Sequence, residues 1–330
     1  MACAGPKGYK APPRETVPGL KLLFCTDLHA SDAYLFKIIS YAKSFKVDVL
    51  IISGDLTGKA LVPIVRLPDG SYKAQLFGRE ERFGEEALPA MKQAIARAGY
   101  YARVCTQQDY QRMKEDERLR AEAFRSAMVE RLEAQIAQLE RELPPEVTVI
   151  MNPGNDDEFF VDDVLKRAER VKYTIGQVEE LGDFRLISCE WVNPTPWNSP
   201  RECEEDELLK RLQAEFERAG STERLLCDFH APPFRTTLDL APKLDRNLRP
   251  KRNLFGQPVF EHVGSKAVRK ALEEYQPLLS LHGHIHESPG SYTLGRTTCL
   301  NPGSEYEEGI MHGYLVILGH NLDYKPVIGA

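Results

Sequence analysis

The stretches KLLFCTDLH (residues 21–29) and VDVLIISGD (residues 47–55) decide the architecture. Each carries a short apolar run, and each stretch reaches an aspartate at the end of its run. Between them, Leu35, Ile38, Ile39 and Ala42 recur at helical spacing over roughly Ala33–Phe45. Strand, helix and strand on this scale form a βαβ unit, which sets the two strands parallel. Further apolar runs follow at Val147–Met151, Phe184–Glu190, Arg224–Phe229, Leu278–Leu281 and Tyr314–Leu318. Helical patterns precede several of them, including Glu205–Ala219 and Ser265–Tyr275, the latter opened by Gly264-Ser265 as an N-cap. The chain reads as α/β.

Residues from about 57 to 145 break this rhythm. Asp69-Gly70 between extended residues predicts a hairpin over Arg66–Gln75. A long polar helix follows, roughly Gln107–Glu142. Along it and just past its end, Phe124, Met128, Leu132, Ile136, Leu139 and Leu143 form one apolar stripe. That stripe suits packing against the main domain and also suits the seam of a homodimer. The segment is read as an insertion in one domain spanning 1–330.

Composition narrows the class. No apolar run approaches the length of a membrane span, and no membrane partner is expected. The lead-in MACAGPKGYKAPPRETVPG has no apolar stretch after its lysines, unlike a secretory signal. The net charge of −6 argues against a duplex nucleic-acid binder. The basic run Lys243–Arg252 keeps single-stranded nucleic acid open as a partner. Seven cysteines, an odd number with no CxxC pair, read as free thiols of a reducing cytoplasm.

In open α/β sheets ligands bind beyond the carboxyl ends of strands. The first run ends in Asp27-Leu28-His29, and residues two apart in extended backbone point the same way. The second ends in Gly54-Asp55 and the third in Asn152-Pro153-Gly154-Asn155-Asp156-Asp157. Later ends carry Asp228-Phe229-His230 and His282-Gly283-His284-Ile285-His286. Each signal alone has an ordinary reading as a turn or a structural histidine. Together, in order and each after a predicted strand, they converge on one sheet edge. The donors are carboxylate, amide oxygen and imidazole without thiolate, which suits Mn²⁺, Fe or Zn²⁺. Their number exceeds the four of one tetrahedral zinc, so two ions are expected.

These motifs resemble the calcineurin-like metallophosphoesterase superfamily, over roughly Leu20–Leu56 and Val147–Leu318. Within it, the stretch from Gly264-Ser265 through Pro277 to Gly283-His284-Ile285-His286, followed by Asn301-Pro302-Gly303-Ser304, is similar to the small bacterial and archaeal phosphoesterases. The resemblance implies a four-layer α-β-β-α sandwich of two mixed sheets flanked by helices, here with a helical insertion. It implies that Asp27, His29 and His286 hold one divalent metal, that Asn155, His230 and His284 hold a second, and that Asp55 bridges them. His282 has no place in that ligand set. The implied activity is hydrolysis of a small phosphoester by a water activated between the metals. A nuclease and a catalytically weak binding relative are the alternatives.

The chain departs from the family pattern after Asn155. There the family carries a histidine that helps the leaving oxygen or binds the phosphate, and here stands Asp156. Asp156 is either a replacement catalytic group or a turn residue. Without a strong acid, diesters with acidic leaving groups are the expected substrates, ahead of alkyl monoesters. Arg235, just beyond His230, reads either as a phosphate contact or as a surface side chain.

Overall fold

The computed structural model describes residues 19–329. The lead-in segment, apart from Gly19, and Cys3 lie outside them. Strand Leu20–Thr26 shows how the sequence builds the layers. Its side chains alternate in direction, yet both sets are apolar: Leu23 and Cys25 pack under helices, and Leu22 and Phe24 face a second sheet. Val49–Ser53 and Thr148–Asn152 divide in the same way. A strand covered on both faces needs an unbroken apolar run, which is why these segments read as continuous rather than alternating.

The first sheet runs Leu322–Gly329, Met311–Leu318, Leu20–Thr26, Val49–Ser53, Thr148–Asn152, Val171–Lys172. The second runs Gly290–Leu294, Thr297–Asn301, Leu279–Leu281, Leu225–Phe229, Phe184–Cys189, Glu179–Leu181. Both mix parallel and antiparallel pairs. Leu22, Ile51 and Ile150 from one sheet and Leu186, Leu226 and Leu281 from the other form the core between them.

The helices are α1 (Asp32–Phe45), α2 (Leu88–Arg97), α3 (Gln107–Glu115), α4 (Glu117–Glu142), α5 (Phe160–Lys166), α6 (Glu205–Ala219) and α7 (Lys266–Tyr275). Residues of α1, α4 and α5 cover the outer face of the first sheet, and those of α6 and α7 cover that of the second. Ser31 and Ser265 cap α1 and α7 through their side-chain oxygens. The result is the α-β-β-α sandwich that the resemblance implies.

Between Gly58 and Leu143 the structure holds more than a hairpin and a helix. Leu61–Arg66, Tyr72–Leu76, Arg79–Phe83 and Tyr101–Thr106 form a four-stranded sheet of their own, with Ile95 of α2 in its small core. The turn at Asp69-Gly70 is there, with Asp69 accepting from the Ser71 N–H and hydroxyl. The third strand, REERF, is almost wholly exposed and so shows no apolar period. The expected single helix is two. Asp116 takes an extended conformation and its carboxylate caps the next helix at the N–H groups of Arg118 and Leu119. Leu132, Ile136, Leu139 and Leu143 pack into the core beside the first sheet. The stripe that would serve a dimer seam is therefore occupied by the chain itself.

Candidate metal centre

Five loops meet where the strands of both sheets end. The strand-end rule anticipated one sheet edge. The structure instead brings Asp27, His29, Asp55 and Asn155 from the first sheet against His230, His284 and His286 from the second. A buried polar network fastens the two sheets beneath them: Ser53 Oγ and Asn152 Nδ2 donate to Asp228 Oδ2 at 2.7 and 2.8 Å, and Asn152 Nδ2 also donates to Ser188 Oγ at 3.1 Å.

The convergence of Asp27 and His29 does not come from strand alternation. The strand ends at Thr26. Asp27 and His29 then adopt left-handed backbone, with φ of 53° and 43°, as does His284 at 67°. Non-glycine residues seldom occupy this region, and where they do the surroundings hold them there. Thr26 Oγ1 and the His284 N–H donate to Asp27 Oδ2, and Ser304 Oγ donates to the Asp27 carbonyl. His29 Nδ1 donates to the Thr57 carbonyl at 3.2 Å, which turns Nε2 into the cluster.

Within the cluster, His286 Nε2 lies 3.5 Å from Asp27 Oδ1 and 3.4 Å from His29 Nε2. The two oxygens of Asp55 divide: Oδ2 is 3.8 Å from His29 Nε2, and Oδ1 is 3.6 Å from His230 Nε2. Asn155 spends its amide nitrogen on Asp156 and Ser199, leaving Oδ1 3.0 Å from His230 Nε2. The His284 ring sits 5.4 Å from that of His230. Asp27, His29, Asp55, Asn155 and His230 are buried, while His284, His286 and Asp156 reach the open side.

Charge follows this geometry. Burial opposes ionisation of Asp27, but His286 and His230 outweigh it and hold the carboxyl well below its ordinary range. Asp55 behaves likewise beside His230 and His29. Burial lowers the His29 imidazole to about 3 and the His284 imidazole to about 4. Burial also acts against His230, yet Asp55 and Asp27 raise it to about 9. Neutral imidazoles and ionised carboxylates are the forms that coordinate metals, so an ion held by His230 would displace its proton.

The residues fit a metal on three observations. Asp27 Oδ1 is buried without a hydrogen-bond partner among the described residues. Three overlapping trios have all their ligand atoms within 4.8 Å of one another: Asp27, His29, His286; Asp27, Asp55, His230; and His29, Asp55, Asp156. Glycines leave the space: a Cβ on Gly154 would collide with Asp55 Oδ1, and one on Gly283 would lie 2.6 Å from Asp27 Oδ2.

The neighbouring histidine and acids have separate parts. His282 is buried with Nδ1 between the carbonyls of Phe229 and Ala231, at 2.8 and 2.9 Å, and so braces the His230 loop. Asp157 is buried and accepts the N–H groups of Leu56, Thr57 and Gly154. Burial and then Asp55 raise its carboxyl to about 6. Asp156 faces outward to Lys59 Nζ at 2.9 Å; burial and Asp55 raise its carboxyl and Lys59 opposes them. Arg235 lies over the Phe234 ring.

Sequence reading passed over Lys59 and Arg201, and it named Asp157 only within the strand-end run Asn152–Asp157. Lys59 follows Asp55 by four residues, and Gly58 before it was the available signal. Arg201 is fully buried against Asp162 and Glu190, and no local pattern announces it. Asp55, Asn155, Asp156, His284 and His286 open onto a cleft of about 920 Å³. Its walls include Asn193, Trp197, Phe234 and Leu248.

No protein-family model matches the chain. A protein of Methanocaldococcus jannaschii, itself described as uncharacterized, is 28% identical over 164 residues, which is 49% of this chain and 66% of that protein, just under two thirds of its length. One crystal structure is 17% identical with a TM-score of 0.56, covering 93% of this chain and 98% of that one, and shows a shared fold. A Thermus thermophilus structure aligns at 12% identity and a TM-score of 0.46, over 93% and 98% of the two chains. An archaeal phosphodiesterase aligns at 9% and 0.37, over 93% and 99%.

Proposed function

We propose that this chain is a metal-dependent phosphoric ester hydrolase acting on a small phosphoester, with diesters ahead of monoesters. Asp27, His29 and His286 would hold one divalent ion, Asn155, His230 and His284 a second, and Asp55 would serve both. The observation that carries this reading is Asp55, whose two oxygens face His29 and His230 separately, at 3.8 and 3.6 Å. Oδ1 also accepts the Asp156 N–H at 2.8 Å, which holds the carboxylate between the two histidines. The oxygen and imidazole donors suit Mn²⁺ or Fe, and also Zn²⁺.

Two ions held there would acidify a water and neutralise phosphoryl charge. The chain's own part is placement. His29 is oriented by Thr57, Asn155 by Ser199, and Asp27 by Thr26 and His284, so the donors are fixed before any ligand arrives. The cleft beside them far exceeds the volume of one phosphate and has room for the alcohol portion of an ester. Because Asp157 is engaged with backbone and Asp156 with Lys59, neither carboxyl is free to protonate a poor leaving group. Acidic leaving groups are favoured accordingly.

The test is a panel of aryl diesters, aryl monoesters, alkyl monoesters and short oligonucleotides, assayed with Mn²⁺, Fe²⁺, Zn²⁺ and Mg²⁺ added separately. Aryl diesters should turn over fastest, at two metals per chain. Preference for alkyl monoesters removes the leaving-group reading, and two bound metals without turnover of any ester favour a binding role.

A further inference from the structure

The turn from Asp55 to Lys59 is more tightly built than a surface loop requires. Asp157 accepts the Leu56 and Thr57 N–H groups at 2.9 and 2.8 Å and the Thr57 hydroxyl at 2.5 Å. The Gly58 N–H donates to the Tyr101 hydroxyl at 2.7 Å. A Cβ on Gly58 would collide with the Gly99 carbonyl oxygen, so the backbone passes where only glycine fits. This turn delivers Lys59 to the mouth of the cluster. Its ammonium is 2.9 Å from Asp156 Oδ2 and close enough to His29, His286 and Asp55 to act on their charge.

Lys59 and Lys266 supply the lysine or arginine side chains of the cleft among the described residues. Of the two, Lys59 is the one paired to a residue of the cluster. Its side chain is half exposed, and a pair of that kind contributes only about 0–1 kcal/mol to stability. The turn holds Asp55 and the Thr57 carbonyl that orients His29, and the same constraint fixes where Lys59 emerges. A cation between ligand cluster and cleft has a clearer use in ester hydrolysis.

We propose that Lys59 is a catalytic residue that stabilises the departing oxygen, and that Asp156 is its positioning residue. The proposal rests on the hydrolase reading and deepens it. In the reaction the oxygen of a water bonds to phosphorus and the ester P–O bond breaks. The electron pair leaves on the ester oxygen, and the water's proton passes to solvent. Lys59 lines the same cleft that has room for the alcohol portion, so with that portion seated there the negative charge would develop on the side where Lys59 stands. The ammonium offsets that charge, and the departed oxygen takes its proton from solvent. The loop beside Asp156 supplies the cation, and the aspartate holds it in place.

The experiment compares the full chain with Lys59→Met, Lys59→Arg and Asp156→Asn on aryl phosphodiesters ranging from nitrated phenols to phenol itself, in Mn²⁺. Lys59→Met should lose about 10-fold in kcat/KM on the most acidic phenol and about 10³-fold on phenol. Lys59→Arg should recover most of the loss, and Asp156→Asn should show the same trend at smaller amplitude. Calorimetric titration with inorganic phosphate should give about tenfold weaker binding in Lys59→Met, with metal content unchanged by elemental analysis. A loss uniform across the series, or unchanged phosphate affinity, overturns the role of Lys59 while leaving the hydrolase reading intact. A wild-type chain that binds phosphate through Lys59 but turns over none of the esters overturns both the hydrolase reading and the catalytic role.

Discussion

Two buried polar clusters lie close together in this molecule and differ in one respect. Around Arg201 every charge is answered. Its guanidinium donates to the carbonyls of Asp157 and Glu158 and to the carboxylates of Asp162 and Glu190, and the Phe159 ring lies 4.9 Å from it. Around Asp55 the imidazoles and carboxylates face one another at 3.4–3.9 Å, with closer bonds from the Asp156 N–H to Asp55 Oδ1 and between Asn155 Oδ1 and His230 Nε2, and Asp27 Oδ1 has no partner among the described residues. Unpaired buried polar atoms are costly. A cluster that closes its hydrogen bonds is a fastening. One that leaves acceptors converging on a shared space has the form of a ligand site.

The contrast breaks first at Asp55. Asp55→Asn should lower kcat/KM on an aryl diester by about 10⁴-fold, roughly 5.5 kcal/mol, and reduce metal content. An active Asp55→Asn with two metals would mean that the divided carboxylate is only structural. Arg201→Met should do the converse. Stranding Asp162 and Glu190 should cost about 3–5 kcal/mol in denaturant unfolding, while the protein that remains folded keeps its metals. Loss of metal without loss of stability would dissolve the distinction between the clusters.

Chelation sharpens the comparison further. Saturation at a hundredfold above Kd stabilises the folded state by about 2.7 kcal/mol. Calorimetry should therefore show Tm falling by roughly 4 °C for each ion removed from the wild type, about 8 °C for two. In Asp55→Asn the same treatment should move Tm far less. The smallest effect is expected at His282, whose Nδ1 braces the His230 loop. His282→Ala should lose about 1–2 kcal/mol and keep both metals, whereas loss of a metal from the folded variant would make His282 part of the centre.

Much of this was legible in the sequence, for identifiable reasons. The strands flanking the candidate ligands are covered on both faces, so they appear as unbroken apolar runs, and Glu205–Ala219 shows the helical period over the bounds the structure gives. The candidate ligands follow those strands immediately. Less legible was the sheet of residues 61–106. Its strand Arg79–Phe83 is exposed and charged, and Tyr101–Thr106 runs directly into α3. The break between α3 and α4 rests on one aspartate cap, which a long polar stretch conceals.

By itself the sequence determined the alternation of strands and helices and the order of the candidate ligands, because burial periodicity and strand-end motifs are local properties of the chain, whereas the four layers followed from the family resemblance. Only the tertiary structure decided how those ligands meet. Left-handed turns aim Asp27, His29 and His284, which strand alternation does not account for. Packing of two sheets, fastened through Asp228, sets His230 against Asp55. The same packing separates neighbours of identical chemistry: Asp157 is enclosed by backbone N–H groups and Asp156 is turned outward to Lys59. Their environments come from segments about a hundred residues away, and no local pattern encodes them.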